Sequence, residues 1–419
     1  MRKLREALRY LPGWVKTRVD DSKSKRYRNL FSISRLHALM KEVPRKVFDD
    51  EVAARGSDRY SKRLNSWSQR VAMIYAQLSA ATSLRIAEAA YNSQVTHHYH
   101  LGTGSVHRST LADANRRRST EPFAAAARAL MMRVPRALRR DGADLLYLLD
   151  STSFTLSGRG FDEWTAGNRT SRTQGIKLHV LYDSQAEAPI RQSLSAPNVN
   201  DVTAAAEVPI DAKACYVFDK GYCDYNWWAA MDAQGASFVT RFKCNAALVV
   251  EAVRPIAAAD VGTILADEIV RFTHKAPRGG KRNHYTKPLR RVTVIRPDKD
   301  SPLVLATNDL EAPATEIAHR YKDRWQIELF FKWIKQHLKV KRWLGRSENA
   351  VRIQILCALI AYLLLALYRK THGIKTSLWV MLGELRTTLF QRPATDTAVQ
   401  NRRCQDRTEW RRLQAELFA

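Results

Sequence analysis

The apolar positions change their period along the chain. In the first 125 residues they recur at helical spacing, through Leu30, Ile33, Leu36, Leu39 and Met40 and again through Val71, Met73, Ile74, Leu78, Leu84 and Ile86, which predicts a run of amphipathic helices. After about residue 140 the pattern predicts strands. Leu145-Leu146-Tyr147-Leu148-Leu149-Asp150 is apolar on both faces, as a central strand is. Residues 175–183 alternate as a half-buried strand, and 190–194 form a third. Asn200 is a good N-cap for a helix through Ala206. Cys215-Tyr216-Val217-Phe218-Asp219 is another apolar strand, followed by a helix over 225–233 and a strand over 237–242.

Three strands, then helix, strand, helix and strand, is the order of a ribonuclease H-like core. Residues 243–302 interrupt it with a β-rich segment that contains the strand 292–295 and a Gly279-Gly280 turn. A strand over 303–307 follows, then a long helix predicted from Pro313 to Leu338, with proline at its first turn. The apolar run 353–368 is interrupted by Gln354 and falls short of the roughly 20 residues a membrane span needs. It is expected to be a buried core helix. Residues 377–390 are predicted helical, and no internal repeat is visible.

Charge narrows the function. Lys and Arg number 69 against 41 Asp and Glu, a formal net charge of +28. Such a field serves a polyanion binder, because each phosphate contact releases counterions. Nucleic acid is the expected partner and an anionic membrane a distant second. Between 271 and 296 there are nine bases and no acid: Arg271, Lys275, Arg278, Lys281, Arg282, Lys287, Arg290, Arg291 and Arg296. That density predicts a nucleic-acid surface on the β-rich segment. The Arg116-Arg117-Arg118 run reads equally well as a solvated face or a phosphate contact. His97, His98 and His100 cluster without a cysteine, a weak zinc signal, and the five cysteines are scattered, which excludes a disulfide scaffold and favours a reducing compartment. Residues 1–10 are basic without an apolar core, as a basic helix rather than a secretory signal.

The chemistry is carried by acids. Two buried strands ending in carboxylates, Asp150 and Asp219, suit cation binding, since an ionised carboxylate avoids a low-dielectric site otherwise. Each could equally open a turn as a cap. On the long helix, at about 100° per residue, Tyr321, Arg324, Glu328 and Lys335 fall within about 60° of arc, beside the apolar face of Ile327, Phe330, Phe331, Ile334 and Leu338. The plain alternative is an i,i+4 ion-pair stripe. Asp183 and Asp224 are weaker acid candidates.

Together these residues place the chain in resemblance to the bacterial insertion-sequence transposases of the DDE type, specifically the hairpin-forming cut-and-paste family numbered four. Leu149-Asp150-Ser151-Thr152 looks like the first catalytic aspartate, Asp219-Lys220-Gly221-Tyr222 like the second. Tyr321, Arg324, Glu328 and Lys335 reproduce the Y-x2-R-x3-E-x6-K signature. Gly175-Ile176-Lys177-Leu178-His179, Asn198-Val199-Asn200-Asp201, Gln77-Leu78-Ser79 and Ser83-Leu84-Arg85 are also similar to the family. The separations of 69 and 109 residues between the three acids agree, the second being long because the insertion lies within it.

The resemblance implies that Asp150, Asp219 and Glu328 are catalytic and hold two Mg2+ ions, with Mn2+ able to substitute. It implies that Tyr321, Arg324, Lys335 and Lys220 bind DNA, together with Arg271, Lys275, Lys281, Arg282, Arg290 and Arg291 of the insertion. The partners would be double-stranded DNA, as terminal inverted repeats and target, and a second copy in a synaptic homodimer, with no membrane. The place would be the bacterial cytoplasm, on the nucleoid. One departure is that no Trp occurs between Trp228 and Trp325 to receive a flipped base in the insertion, where Phe242, Phe272 or Tyr285 would have to substitute. The expected fold class is α/β: a ribonuclease H-like catalytic core (126–242 and 303–372) interrupted by a β-rich basic insertion (243–302), with a helical N-terminal DNA-binding domain (1–125) and a helical C-terminal region (373–419). A catalytically silent DNA-binding relative and a nuclease without strand transfer are the competing readings.

Overall fold

A computed structural model describes residues 34–139, 142, 144–273, 282–297, 300–338 and 342–391. At its centre is a mixed nine-stranded sheet. The strands are β1 (Leu146–Thr155), β2 (Gly175–Asp183), β3 (Ala188–Ser195), β4 (Cys215–Phe218), β5 (Ser237–Arg241), β6 (Leu248–Val253), β7 (Ile264–Phe272), β8 (Leu289–Val294) and β9 (Leu303–Thr307). Their order across the sheet is β3-β2-β1-β4-β5-β9-β8-β7-β6. The first three form an antiparallel meander, whereas β4 runs parallel to β1 and β5 parallel to β4. The strands of residues 243–302, expected as an insertion, are continuous with this sheet, because β8 pairs with β9 and β9 with β5.

Alternation along the central strands feeds two cores. Leu148 and Val217 face one, among the helices, and Leu149, Tyr216 and Phe218 face the other. This two-sided burial is why β1 and β4 read as continuous apolar runs. Gly175 sits where β2 begins its pairing with β1, at φ +148°, and a Cβ there would lie 2.0 Å from the Phe154 carbonyl oxygen. Only glycine allows that approach.

The first core is built around the helix Glu348–Thr371, which packs on Ser66–Leu78 and Glu121–Leu138. This helix is long and apolar enough to cross a membrane, yet 94% of its apolar window is buried inside the protein. Gln354, the polar interruption, is itself buried and satisfied: it accepts from the Leu344 N–H at 2.9 Å and donates to the Arg342 carbonyl at 3.0 Å. It thereby ties the chain before the helix to the core. The predicted helix over 377–390 is observed as Leu378–Thr388, capped by Ser377.

Two differences from the expected elements bear on the site. β1 runs five residues past Asp150, so that acid lies within the strand and not at its end. The single helix expected from Pro313 to Leu338 is two helices, Ala314–Asp323 and Trp325–His337, that meet at Arg324. At the joint the bonds tighten, with the Arg324 N–H donating to Tyr321 O and Ile327 N–H to Arg324 O. A local tightening of this kind is invisible to a 3.6-residue periodicity.

Candidate active site

Parallel pairing of β1 with β4 puts Leu149 opposite Phe218. The next residue on each strand is an acid, so Asp150 and Asp219 come side by side. β4 stops at Phe218 while β1 continues, which opens the sheet at that level. The helix Trp325–His337 packs on β1, burying Ile327, Phe330, Phe331 and Ile334 as the periodicity predicts, and turns Glu328 toward the same place.

The three acids are interleaved with two guanidinium groups. Arg324 lies 2.7 Å from Glu328 (Nη2 to Oε1) and 3.6 Å from Asp150 (Nη1 to Oδ2). The Arg241 guanidinium, from the end of β5, donates to Asp219 Oδ1. The Tyr321 hydroxyl reaches the same oxygen at 3.5 Å. The Ser151 N–H donates to Asp150 Oδ1 at 2.8 Å.

The two aspartates differ in proton affinity. Burial pushes the Asp150 carboxyl up to about 6, with the neighbouring charges of Glu328 and Asp219 adding to it and the Ser151 N–H and Arg324 opposing. Burial alone would raise Asp219 as well. The bond from Arg241, the Lys220 N–H and the charges of Arg241 and Arg324 outweigh it and hold that carboxyl below its ordinary value. Arg324 is the mirror case: burial lowers it, but Tyr321, Glu328 and Asp150 together raise it above the usual guanidinium range.

Lys335 turns toward β1, where its ammonium donates to the Thr152 hydroxyl and to the Ser153 carbonyl at 3.2 Å and lies 5.2 Å from the Phe154 ring centre. Lys220 is exposed on the turn that follows Asp219. Tyr321, Arg324 and Glu328 therefore meet the two aspartates, while Lys335 lies further along β1.

The donors offered by Asp150, Asp219 and Glu328 are all carboxylate oxygens, the chemistry that hard divalent cations take. Among the described residues, no three His, Cys, Asp or Glu side chains are gathered closely enough to hold an ion as they stand. The carboxylates are paired with arginines instead. The donor set thus fits a divalent metal in kind, and its charge is at present met by Arg324 and Arg241.

Among the described residues of 243–302, several of the bases have internal partners. Arg290 corrects the sequence expectation. Its side chain is only 2% exposed and makes two bonds of 2.7 Å to Asp267 and one to the Ala312 carbonyl, so it cannot reach a phosphate. Arg271 is engaged by Glu251 and the Thr286 carbonyl, and Arg291 by Glu268 at 2.7 Å. Arg282 is exposed; Lys275 and Lys281 lie outside the described residues. Phe272 and Tyr285 belong to the second core and are closed to a flipped base, while Phe242 is half-buried.

The other early candidates have structural employment. Asp183 is fully buried, bonded by Arg139 and by the N–H groups of Gln185 and Ala186. Asp224 caps the helix Tyr225–Ala233. His98 is buried on the Tyr91 carbonyl. In the arginine run, Arg116 and Arg117 pair with Asp113, while Arg118 bonds Gln69, Ser61 and Leu64. Sequence reasoning missed Arg241, whose only signal was its place at the end of the strand after the Asp219 strand.

Comparison with known proteins gives the family. Residues 141–364, more than half of the chain, match the family described as the transposase DDE domain. Residues 32–104 match a second family, described only as a domain of unknown function. The chain is 40% identical over 284 residues to y4zB of Sinorhizobium fredii (strain NBRC 101917 / NGR234), a protein assigned as a transposase, covering 67% of this chain and 77% of that one. It is 29% identical over 243 residues to the protein assigned as the transposase of insertion sequence element IS5377 in Geobacillus stearothermophilus, covering 57% of this chain and 59% of that one. The piggyBac transposase in its synaptic complex with hairpin DNA aligns over 84% of this chain and 77% of that one at 12% identity, with a TM-score of 0.42. On the family match and the first of these relatives, the chain belongs to the DDE transposases.

Proposed function

We propose that this transposase binds the terminal inverted repeats of an insertion sequence, cleaves them by metal-dependent phosphoryl transfer through a hairpin intermediate, and joins them to target DNA. It would thus belong to the cut-and-paste family numbered four. The observation that carries the reading is the position of Arg324: it touches both Asp150 and Glu328, so acids from distant parts of the chain meet at one place. A ribonuclease H-like core is part of the proposal, supported by the β3-β2-β1-β4-β5 order with a parallel β1, β4 and β5. So are residues 1–125 as a DNA-binding domain, residues 243–302 as a basic insertion, and action on the bacterial nucleoid.

Membership of the family implies DNA as partner and dependence on a divalent metal. We assign the metal to Asp150, Asp219 and Glu328, as two Mg2+ ions for which Mn2+ substitutes. Bound there, such ions supply activation of water or a 3′-hydroxyl and neutralisation of the leaving oxygen. The remaining work falls to the chain's own groups. Arg324 presents a fork suited to two oxygens of one phosphate. Tyr321 and Lys220 flank Asp219 and grip the strand on that side, while Lys335 holds the β1 segment against the Glu328 helix. Positioning of the scissile bond is the main protein contribution, as expected where the backbone offers little else to act on. Two ends cut in one event imply a homodimer on DNA.

The test is single substitution of each acid. Asp150→Ala, Asp219→Ala and Glu328→Ala should each abolish nicking of a duplex carrying the inverted repeat that flanks the gene, and leave binding of that duplex intact in a gel-shift measurement. If Asp219→Ala still nicked the duplex in Mg2+, the assignment would be wrong.

A further inference from the structure

A fourth carboxylate, Asp201, at the start of the helix Asp201–Ala206, meets β1 at the residue after Asp150, on the opposite face of the sheet. Its Oδ1 accepts from the Ser151 hydroxyl at 2.9 Å and lies 3.4 Å from Lys177 Nζ and 3.5 Å from His179 Nδ1. Its supports are held in turn: Lys177 donates to the Val199 carbonyl at 2.9 Å, and His179 Nε2 bonds the Ser195 hydroxyl at 2.8 Å. The register explains the gathering. β1 and β2 pair Ser151 with His179 and Ser153 with Lys177, so these side chains share one face of the sheet.

Two contacts connect this cluster to the cleavage site. Ser151 directly follows Asp150. Gly221 lies in the turn that follows Asp219, and a Cβ added there would lie 3.8 Å from Asp201 Oδ2, so the carboxylate packs next to this turn. One carboxylate therefore bonds the residue after Asp150 and lies next to the turn that follows Asp219. A plain helix-opening acid has no need of either neighbour, and Asn200 already caps the helix through the Val202 N–H.

We propose that Asp201 is a positioning residue: by holding Ser151 and abutting Gly221, it fixes how Asp150 and Asp219 sit relative to each other. This rests on the reading that those two aspartates hold metal. Groups that orient metal-binding side chains without touching the ion commonly cost about 10–100-fold in metal affinity when removed.

The experiment uses full-length protein and Mn2+ as probe, titrated by calorimetry and followed by the paramagnetic resonance signal of bound Mn2+. Asp201→Ala should weaken Mn2+ binding by about 10-fold or more and broaden the resonance, while duplex binding stays as in the wild type. Cleavage should fall at limiting Mn2+ and recover in part at saturating Mn2+. Asp201→Asn keeps an acceptor for Ser151 and should restore most of the affinity, and Ser151→Ala should reproduce part of the loss. Asn200→Ala removes the cap of the same helix and serves as the stability control, with Mn2+ affinity unchanged. Wild-type Mn2+ affinity in Asp201→Ala, or an equal loss in Asn200→Ala, would overturn the proposal. If Asp150→Ala and Asp219→Ala also bound Mn2+ normally, the metal assignment itself would fall, which separates the two failures.

Discussion

The guanidinium of Arg324 lies 2.7 Å from the carboxylate of Glu328, four residues further along the chain. Taken alone this is the commonest kind of helix ion pair, worth about 0.3–0.5 kcal/mol when exposed. The pair is not exposed in that sense: the arginine is 17% and the glutamate 33% exposed, and the same guanidinium faces Asp150.

That geometry separates a stabilising role for Arg324 from a chemical one. Arg324→Ala should retain Mn2+ binding, because all three carboxylates remain, and should lose at least about 100-fold in end cleavage, the scale of one lost transition-state donor. Melting temperature and cleavage rate measured on the same variant decide between the roles. Near-normal cleavage with a small stability loss would reduce Arg324 to an ion pair.

Asp150 should leave a mark on stability as a function of pH. Its folded carboxyl is raised to about 6 from the ordinary 3.8, chiefly by burial. For an acid raised in the folded state, the protonated form is the one the fold prefers. Stability is therefore greatest below about 4 as far as this group is concerned, and is lost as pH rises through about 6. Asp150→Asn, which stays neutral, should remove that decline, so the difference in melting temperature between variant and wild type should grow from pH 4 to pH 6 in metal-free buffer. Parallel curves for the two proteins would contradict the raised value.

In residues 243–302, two arginines of equal formal charge should behave differently. Arg290 is buried with Asp267, and breaking such a pair from one side costs about 3–5 kcal/mol. Arg290→Ala should lower the unfolding free energy by that order. Arg282→Ala, at an exposed position, should leave stability unchanged. If Arg282 contacts phosphate, its removal should reduce the slope of log affinity against log salt by roughly one contact. Denaturant unfolding and duplex titration at several salt concentrations read both effects. A larger salt effect from Arg290 than from Arg282 would reverse the assignment.

Much of the fold was legible because it is local. The two-sided apolar runs marked β1 and β4, and Asn200 announced its helix; alternation marked β2 as a strand, although the fold buries both of its faces and not one. Of the site, the seven-residue spacing of Glu328 and Lys335 was legible for the same reason, since residues seven apart on one helix share a face whatever it packs against, whereas Tyr321 lies on the preceding helix. The net charge of +28 pointed to a polyanion without any geometry.

What the sequence could not decide were relationships between distant segments. That Asp150 and Asp219 are neighbours depends on β4 joining β1 in parallel register, a pairing set by sheet packing and not by either strand's own pattern. The partners of the acids follow from the same assembly: Arg241 reaches Asp219 because β5 lies next to β4, and Asp201 reaches Ser151 because a helix between strands returns to the edge of β1. A run of nine bases likewise reads as one surface in sequence, yet Arg290 was drawn inside by Asp267 on the adjacent strand. Composition and period determine which elements form and how much charge they carry. Which charges end up together is decided only when the sheet closes, because burial and counter-charge belong to the packed neighbours and not to the residue.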